Sequence, residues 1–315
     1  MSFEAVITQE SGHPVITLTD IETGCQAEIY GFGGLLNAFR IPGKNKKVNI
    51  VDGFASVDDV IKNITNGFKS TKLSPFVCRM HHGKYTLQNK EYTIQKYFLS
   101  GHAIHGLLFD AAFKITGTQS GNENASVTLE HEYKATDAGY PFAYKITVNW
   151  ELEAGNKLSV TTTVSHQNQT AIPIADGWHP YFSLGGSVDD CTLQFDSNCR
   201  LEYNTNLLPP EKKITDIRFT KGFSLRGIEL DNSFVLDTNS AKARCILEND
   251  SFRLTIEPGK TYPILQVYIP PHRNSIAIEN LSGAPDNFNN GMGLILLAPG
   301  EEKVFGTSYI IVAKK

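Results

Sequence analysis

Apolar and polar positions alternate with a period of two over much of this chain. Tyr144, Ile146, Val148, Trp150 and Leu152 alternate with Lys145, Thr147, Asn149 and Glu151. Beyond a Gly155-Asn156 turn, Leu158, Val160, Thr162 and Val164 keep the same beat. Successive strand side chains point to opposite faces, so this pattern predicts an antiparallel hairpin with one buried face. Val127-Leu129-His131-Tyr133 and Phe252-Leu254-Ile256 repeat it, and Ser120-Gly121-Asn122, Gly155-Asn156 and Pro258-Gly259 supply turns between strands. One short helix is predicted, from about Val57 to Ile64, with Asp58 and Asp59 near its start and Val60, Ile61 and Ile64 as its apolar stripe. No fixed-period repeat or Ser/Gly/Pro linker divides the chain. The expectation is an all-β protein, a large antiparallel β-sandwich with little helix, forming a single domain over residues 1–315.

Composition narrows the partners. The chain has 315 residues, of which 41% are hydrophobic, enough for a sizeable core. The net charge is −4 and no basic block occurs, which argues against nucleic acid and favours a small neutral ligand. Five cysteines, Cys25, Cys78, Cys191, Cys199 and Cys245, lack zinc-knuckle spacing and read as buried reduced thiols. The residues following Met1 show no basic, then apolar, leader, and no apolar run approaches the ~20 residues of a membrane span. A cytoplasmic protein without a membrane partner is expected, as monomer or homodimer.

Four places carry possible chemistry. In Asp176-Gly177-Trp178-His179-Pro180-Tyr181-Phe182, a histidine sits among rings, either as a core residue or as a proton carrier in an aromatic-walled cleft. Aromatic walls suit the C–H faces of a sugar, and Asp176 is a candidate to orient the His179 ring. The segment Gly101-His102-Ala103-Ile104-His105-Gly106-Leu107 reads as a glycine-bounded loop with two histidines, and no Cys or carboxylate at ligand spacing completes a metal site there. In Ser275-Ile276-Ala277-Ile278-Glu279-Asn280, alternation puts Glu279 on the face opposite Ile276 and Ile278, either as a solvated strand end or as a general base. Arg79, within Phe76-Val77-Cys78-Arg79-Met80, either pairs with a carboxylate or reaches a ligand, because an unpaired buried guanidinium is costly. Phosphate-binding loops, dinucleotide fingerprints, zinc-hydrolase helices and nucleophile elbows are absent from the sequence.

In their order along the chain these places resemble the aldose 1-epimerase (galactose mutarotase) family. His105-Gly106 is similar to its His-Gly loop, and His179 to Leu184 to its His-x-Tyr-Phe-x-Leu motif. Glu279-Asn280-Leu281 with Pro285-Asp286 resembles the stretch that carries its catalytic carboxylate. Cys78-Arg79-Met80 with Gly83-Lys84-Tyr85 resembles its Asn-Arg-Ile…Gly-Lys-Phe segment. Gly139-Tyr140-Pro141, Asp231-Asn232-Ser233-Phe234, Gln266-Val267-Tyr268 and Leu297-Ala298-Pro299-Gly300-Glu301 resemble further family segments. The resemblance spans about Gly31 to the C-terminus. Leu107, Phe142, Asn280-Leu281, Cys78 and Trp178 depart from the family pattern, which bears on sugar specificity.

The resemblance implies a β-sandwich enzyme that interconverts the α and β anomers of a free aldose, such as glucose or galactose, without cofactor or metal. It implies an ionised Glu279 as base, a protonated His179 as acid and His105 near the ring oxygen. Arg79, Asp231 and Gln266 would hold hydroxyls, and Trp178 marks the sugar-selective departure. Two rivals remain: a hexose 6-phosphate epimerase, which needs more cations than Arg79 and Lys84 unless folding adds Lys72 and Arg273, and a carbohydrate-binding or sensing β-sandwich without catalysis.

Overall fold

The computed structural model describes residues 2–43, 47–209, 212–238 and 244–314. Three antiparallel sheets dominate it. A five-stranded meander (Phe3–Glu10, His13–Asp20, Gln26–Tyr30, Leu36–Pro42, Lys47–Asn49) leads the chain. A nine-stranded sheet has Lys157–Ser165, Glu302–Ala313 and Phe252–Pro258 at its middle. An eight-stranded sheet is built around Asp231–Leu236, Ile264–Tyr268 and Ile276–Leu281.

The period-two reading holds in detail. Tyr144–Glu153 pairs with Lys157–Ser165 across the Gly155-Asn156 turn, and Tyr144, Ile146, Val148, Trp150 and Leu152 are all buried. Both turn residues have positive φ, 80° and 53°, which matches the turn that joins tight hairpins. The helix covers Val57–Asn63, with Ser56 as N-cap accepting the Asp59 N–H and Asp58 and Asp59 in the first turn. Val57 and Val60 face inward, while Ile61 is exposed, so the apolar stripe includes Val57 rather than Ile61.

The nine- and eight-stranded sheets face each other, and their inner faces form the core. Asn280 Nδ2 donates to Thr307 Oγ1 across this interface at 2.8 Å, and the Trp150 and Trp178 rings meet edge to face at 5.2 Å. One cluster of buried apolar side chains runs from Phe3 to Ile311. Burying that surface is the main favourable term in such a fold. All five cysteines are free, and Cys199 alone of them is not fully buried. No helix among the described residues is long and apolar enough to cross a membrane.

Candidate active site

The strand Ile276–Leu281 lies inside the eight-stranded sheet and all six of its residues are buried. Both of its faces are covered, so Glu279 is no solvated strand end; it is 2% exposed. On one side Glu279 pairs with Gln266, and Gln266 pairs in turn with Ser233 on the next strand. On the other side Gly177 pairs with Leu281 and Tyr181 with Ala277. His179 lies between those pairs, beside Glu279.

Strand alternation then sorts the neighbours. Trp178 and Asn280 point into the sandwich core, while His179 and Glu279 point out of the opposite face into a cavity. Trp178 is thereby corrected as a sugar contact: it packs on Trp150 and beneath Lys72 Nζ, 4.3 Å from its ring centre, and does not line the cavity. Asp176 is corrected too. It does not orient His179 but holds Lys72 Nζ at 2.6 Å and the Tyr262 hydroxyl at 2.6 Å inside the core.

His105 arrives from a third direction. His102–Ile104 is a strand, not a loop; it pairs with Arg79–Met80 and with Phe98–Leu99. At its end the chain kinks, with His105 at φ 62° and Gly106 at φ 77°. A Cβ on Gly106 would lie 2.4 Å from the Ser74 carbonyl oxygen, so the His-Gly pair needs glycine for this close approach. The His105 N–H donates to the carbonyl of Cys78, itself at φ 47°. Left-handed non-glycine residues concentrated at one site are strain held by the surrounding structure.

The rings converge. His105 meets His179 edge-on at 4.8 Å, Phe68 backs His105 at 4.7 Å, and Tyr181 stacks on His179 at 5.2 Å. His179 Nε2 lies 3.4 Å from Glu279 Oε1. His105 Nδ1, His179 Nδ1 and Glu279 Oε2 are buried and have no hydrogen-bond partner among the described residues. Buried polar atoms are rarely left so, and three together at a cavity floor mark a place for a polar ligand. The cavity measures about 270 Å³ and is walled by Phe68, Tyr97, Tyr181, Tyr203 and Tyr268.

Polar side chains complete the rim. Arg79 lines the cavity, donates to the Leu99 carbonyl at 3.3 Å and forms no salt bridge among the described residues. Gln266 Nε2 donates to Asp231 Oδ1 at 2.7 Å, while its Oε1 accepts from Ser233 Oγ at 2.6 Å and from the Tyr203 hydroxyl at 2.9 Å. The amide is thus fixed in one orientation, and Asp231 itself lines the cavity. Tyr181 and Tyr203 are site residues that sequence reading missed, although Tyr181 stood in the motif around His179.

Burial sets the protonation. The Glu279 carboxyl is pushed well above the usual carboxylate range by desolvation, with Asp231 adding to the effect. Desolvation lowers His179 to about 4 and drives His105 well down, the latter helped by His179 and Arg79. The 3.4 Å approach brings the two groups within ion-pair distance, while burial opposes charge on both of them. Burial thus works against the expected division into ionised Glu279 and protonated His179. Burial also raises the Cys78 thiol well above its usual value, away from the reactive thiolate.

The sequence model of the family described as aldose 1-epimerase matches residues 14–310. The chain belongs to that family. With its β fold, this makes it a mutarotase-like sugar epimerase, an isomerase of small sugars. Among curated proteins it is similar to the uncharacterized protein YihR of Escherichia coli K12, with 26% identity over 245 residues, 73% of this chain and 74% of that one. Among solved structures it is similar in fold to the galactose 1-epimerase of Lactobacillus acidophilus NCFM, at TM-score 0.83 and 17% identity over 99% of both chains. A galactose mutarotase-like protein from Clostridium acetobutylicum gives TM-score 0.86 and 17% identity, again over 99% of both.

Proposed function

We propose that this epimerase interconverts the α and β anomers of a free aldose such as glucose or galactose, with Glu279 and His179 moving the protons. The observation that carries this reading is the convergence of Glu279, His179 and His105, with partnerless buried polar atoms, on one aromatic-walled cavity.

The Glu279–His179 pair holds one proton in total, whichever member carries it. Burial favours the uncharged pair, with that proton on Glu279. A bound sugar brings hydroxyls to Glu279 Oε2 and His179 Nδ1, replaces lost hydration and lowers the penalty on charge separation. The proton then passes to His179. Ionised Glu279 takes the proton of the C1 hydroxyl, the bond from C1 to the ring oxygen breaks, and His179 delivers its proton to that oxygen. The open aldehyde turns about C1–C2. Closure on the other face returns both protons by the reverse route. Positioned acid and base groups of this kind contribute roughly 10²–10⁴-fold. His105 stabilises charge at the ring oxygen, and Arg79, Asp231 and Gln266 hold hydroxyls.

A neutral sugar fits better than a phosphorylated one. Lys72 is wholly buried on Asp176, Arg273 is held by Asp189 at 2.7 Å, and Lys84 pairs with Glu91 at 3.0 Å. Arg79 is the one Lys or Arg among the described residues lining the cavity. The test is polarimetric relaxation of fresh α-galactose and α-glucose with purified protein. Acceleration that disappears in Glu279→Gln is expected; full activity in that variant removes Glu279 from its role, and binding of sugar without acceleration favours a carbohydrate-binding protein.

A further inference from the structure

We propose that His105, His179 and Glu279 together also bind a divalent transition-metal ion, of the Zn²⁺ or Co²⁺ kind, and that the bound ion excludes sugar. The exclusion rests on the function proposed above; the metal site itself does not.

The donor set is two imidazoles and one carboxylate, and one ligand atom from each lies within 4.8 Å of the others. Metal–nitrogen and metal–oxygen bonds of about 2.0–2.1 Å at tetrahedral angles place neighbouring donors about 3.3–3.4 Å apart. The observed His179 Nε2 to Glu279 Oε1 separation is 3.4 Å, a tetrahedral edge but a long hydrogen bond. The ring of His105 stands nearly perpendicular to that of His179, at 89°, and its donor atom lies within 4.8 Å of the other two, so binding requires the His105 side chain to close that gap. Imidazole with carboxylate suits Zn²⁺ and Co²⁺ rather than Ca²⁺ or Mg²⁺. Asp231 adds negative charge nearby, and the cavity leaves room for water as a further ligand.

The second layer sets the strength. Histidine ligands of tight sites donate their other N–H to a carbonyl or carboxylate, whereas Nδ1 of both His105 and His179 lacks any partner among the described residues. The site is therefore a reversible one. A second histidine group, His81, His82 and His102, also brings donor atoms within 4.8 Å. Its His102 ring stacks on His81 at 25° and on His82 at 23°, so those in-plane lone pairs run nearly side by side. Moreover, His102 Nδ1 already accepts the His82 N–H at 3.1 Å. That group is the natural control.

The experiment is Co²⁺ titration of the whole protein near neutral pH, read by visible absorption and calorimetry. It is run on wild type, Glu279→Gln, His179→Asn and the His81→Asn/His82→Asn double variant, with circular dichroism verifying each fold. The expected result is a d–d spectrum of low-coordinate Co²⁺. The affinity should fall by more than about 100-fold in Glu279→Gln and His179→Asn, beyond what losing a supporting hydrogen bond alone does. It should be unchanged in the double variant and weakened by added galactose. Absence of Co²⁺ binding, or binding lost in the double variant and kept in Glu279→Gln, overturns the site. Should Co²⁺ bind as expected while no aldose is turned over or competes, the metal site stands and the sugar reading fails; turnover without Co²⁺ binding does the reverse.

Discussion

His179 Nε2 lies 3.4 Å from Glu279 Oε1 because the strand pairs on either side, Gly177 with Leu281 and Tyr181 with Ala277, share one register. A slip of one residue would send either side chain into the sandwich core. The acid–base pair is thus a property of sheet pairing, and Pro180, whose carbonyl accepts the Ile278 N–H at 3.2 Å, lets the chain jog without losing register.

Glu279→Gln should be inactive yet more stable than wild type. Burial makes the folded carboxyl hold its proton more tightly, so folding above the unfolded pKa of about 4.3 requires uptake of a proton or burial of a charge. Each tenfold gain in proton affinity corresponds to about 1.4 kcal/mol. The carboxyl favours the folded state fully below about pH 4, and that advantage is lost as pH rises toward its folded value. The difference in melting temperature between the variant and wild type should therefore be small near pH 4 and grow toward neutrality. Melts across this range check it; a variant less stable than wild type at neutral pH refutes the burial penalty.

Gly106→Ala should both unfold more easily and lose activity. The added Cβ meets the Ser74 carbonyl oxygen at 2.4 Å and the residue must keep φ 77°. A loss of about 2 kcal/mol or more is expected in urea denaturation, with activity falling because His105 shifts with its neighbour. An alanine variant with wild-type midpoint and rate would contradict this.

Tyr203→Phe should raise KM with little change in kcat. Its hydroxyl touches Gln266 and Ser233 rather than the reacting pair. Losing one such bond is worth about 1 kcal/mol, or roughly fivefold in affinity. A fall in kcat alone would assign Tyr203 to the chemistry instead.

Lys72→Met should destabilise by about 3–5 kcal/mol, since it strands the Asp176 carboxylate where both partners are wholly buried. The double variant Lys72→Met/Asp176→Leu should lose less than the single one. Denaturant titration of Lys72→Met, Asp176→Leu and the double variant measures this, and additive losses would deny the coupling.

Trp178→Phe should weaken the fold while leaving the preference between glucose and galactose unaltered, because the ring lies on Trp150 in the core. Rates on the two sugars decide the point; a changed ratio restores Trp178 to the site.

The alternation of Tyr144 through Leu152 and of Leu158 through Val164 determined the sheets, because a period of two fits one half-buried surface and no helix. The order of His105-Gly106, His179 and Glu279 along the chain pointed to the family for the same local reason: each motif is a short stretch whose backbone demands are visible in its residues. What alternation could not decide is which face of a central strand meets a cavity and which meets a second sheet. Both faces of Ile276–Leu281 are buried, so Glu279 and Asn280 look alike in sequence although one lines the cavity and the other bonds Thr307. The fate of Trp178, the capture of Asp176 by Lys72, and the burial that opposes charge on Glu279 and His179 likewise depend on which distant groups packing brings together and how completely it removes water from them, and the tertiary structure alone decided them.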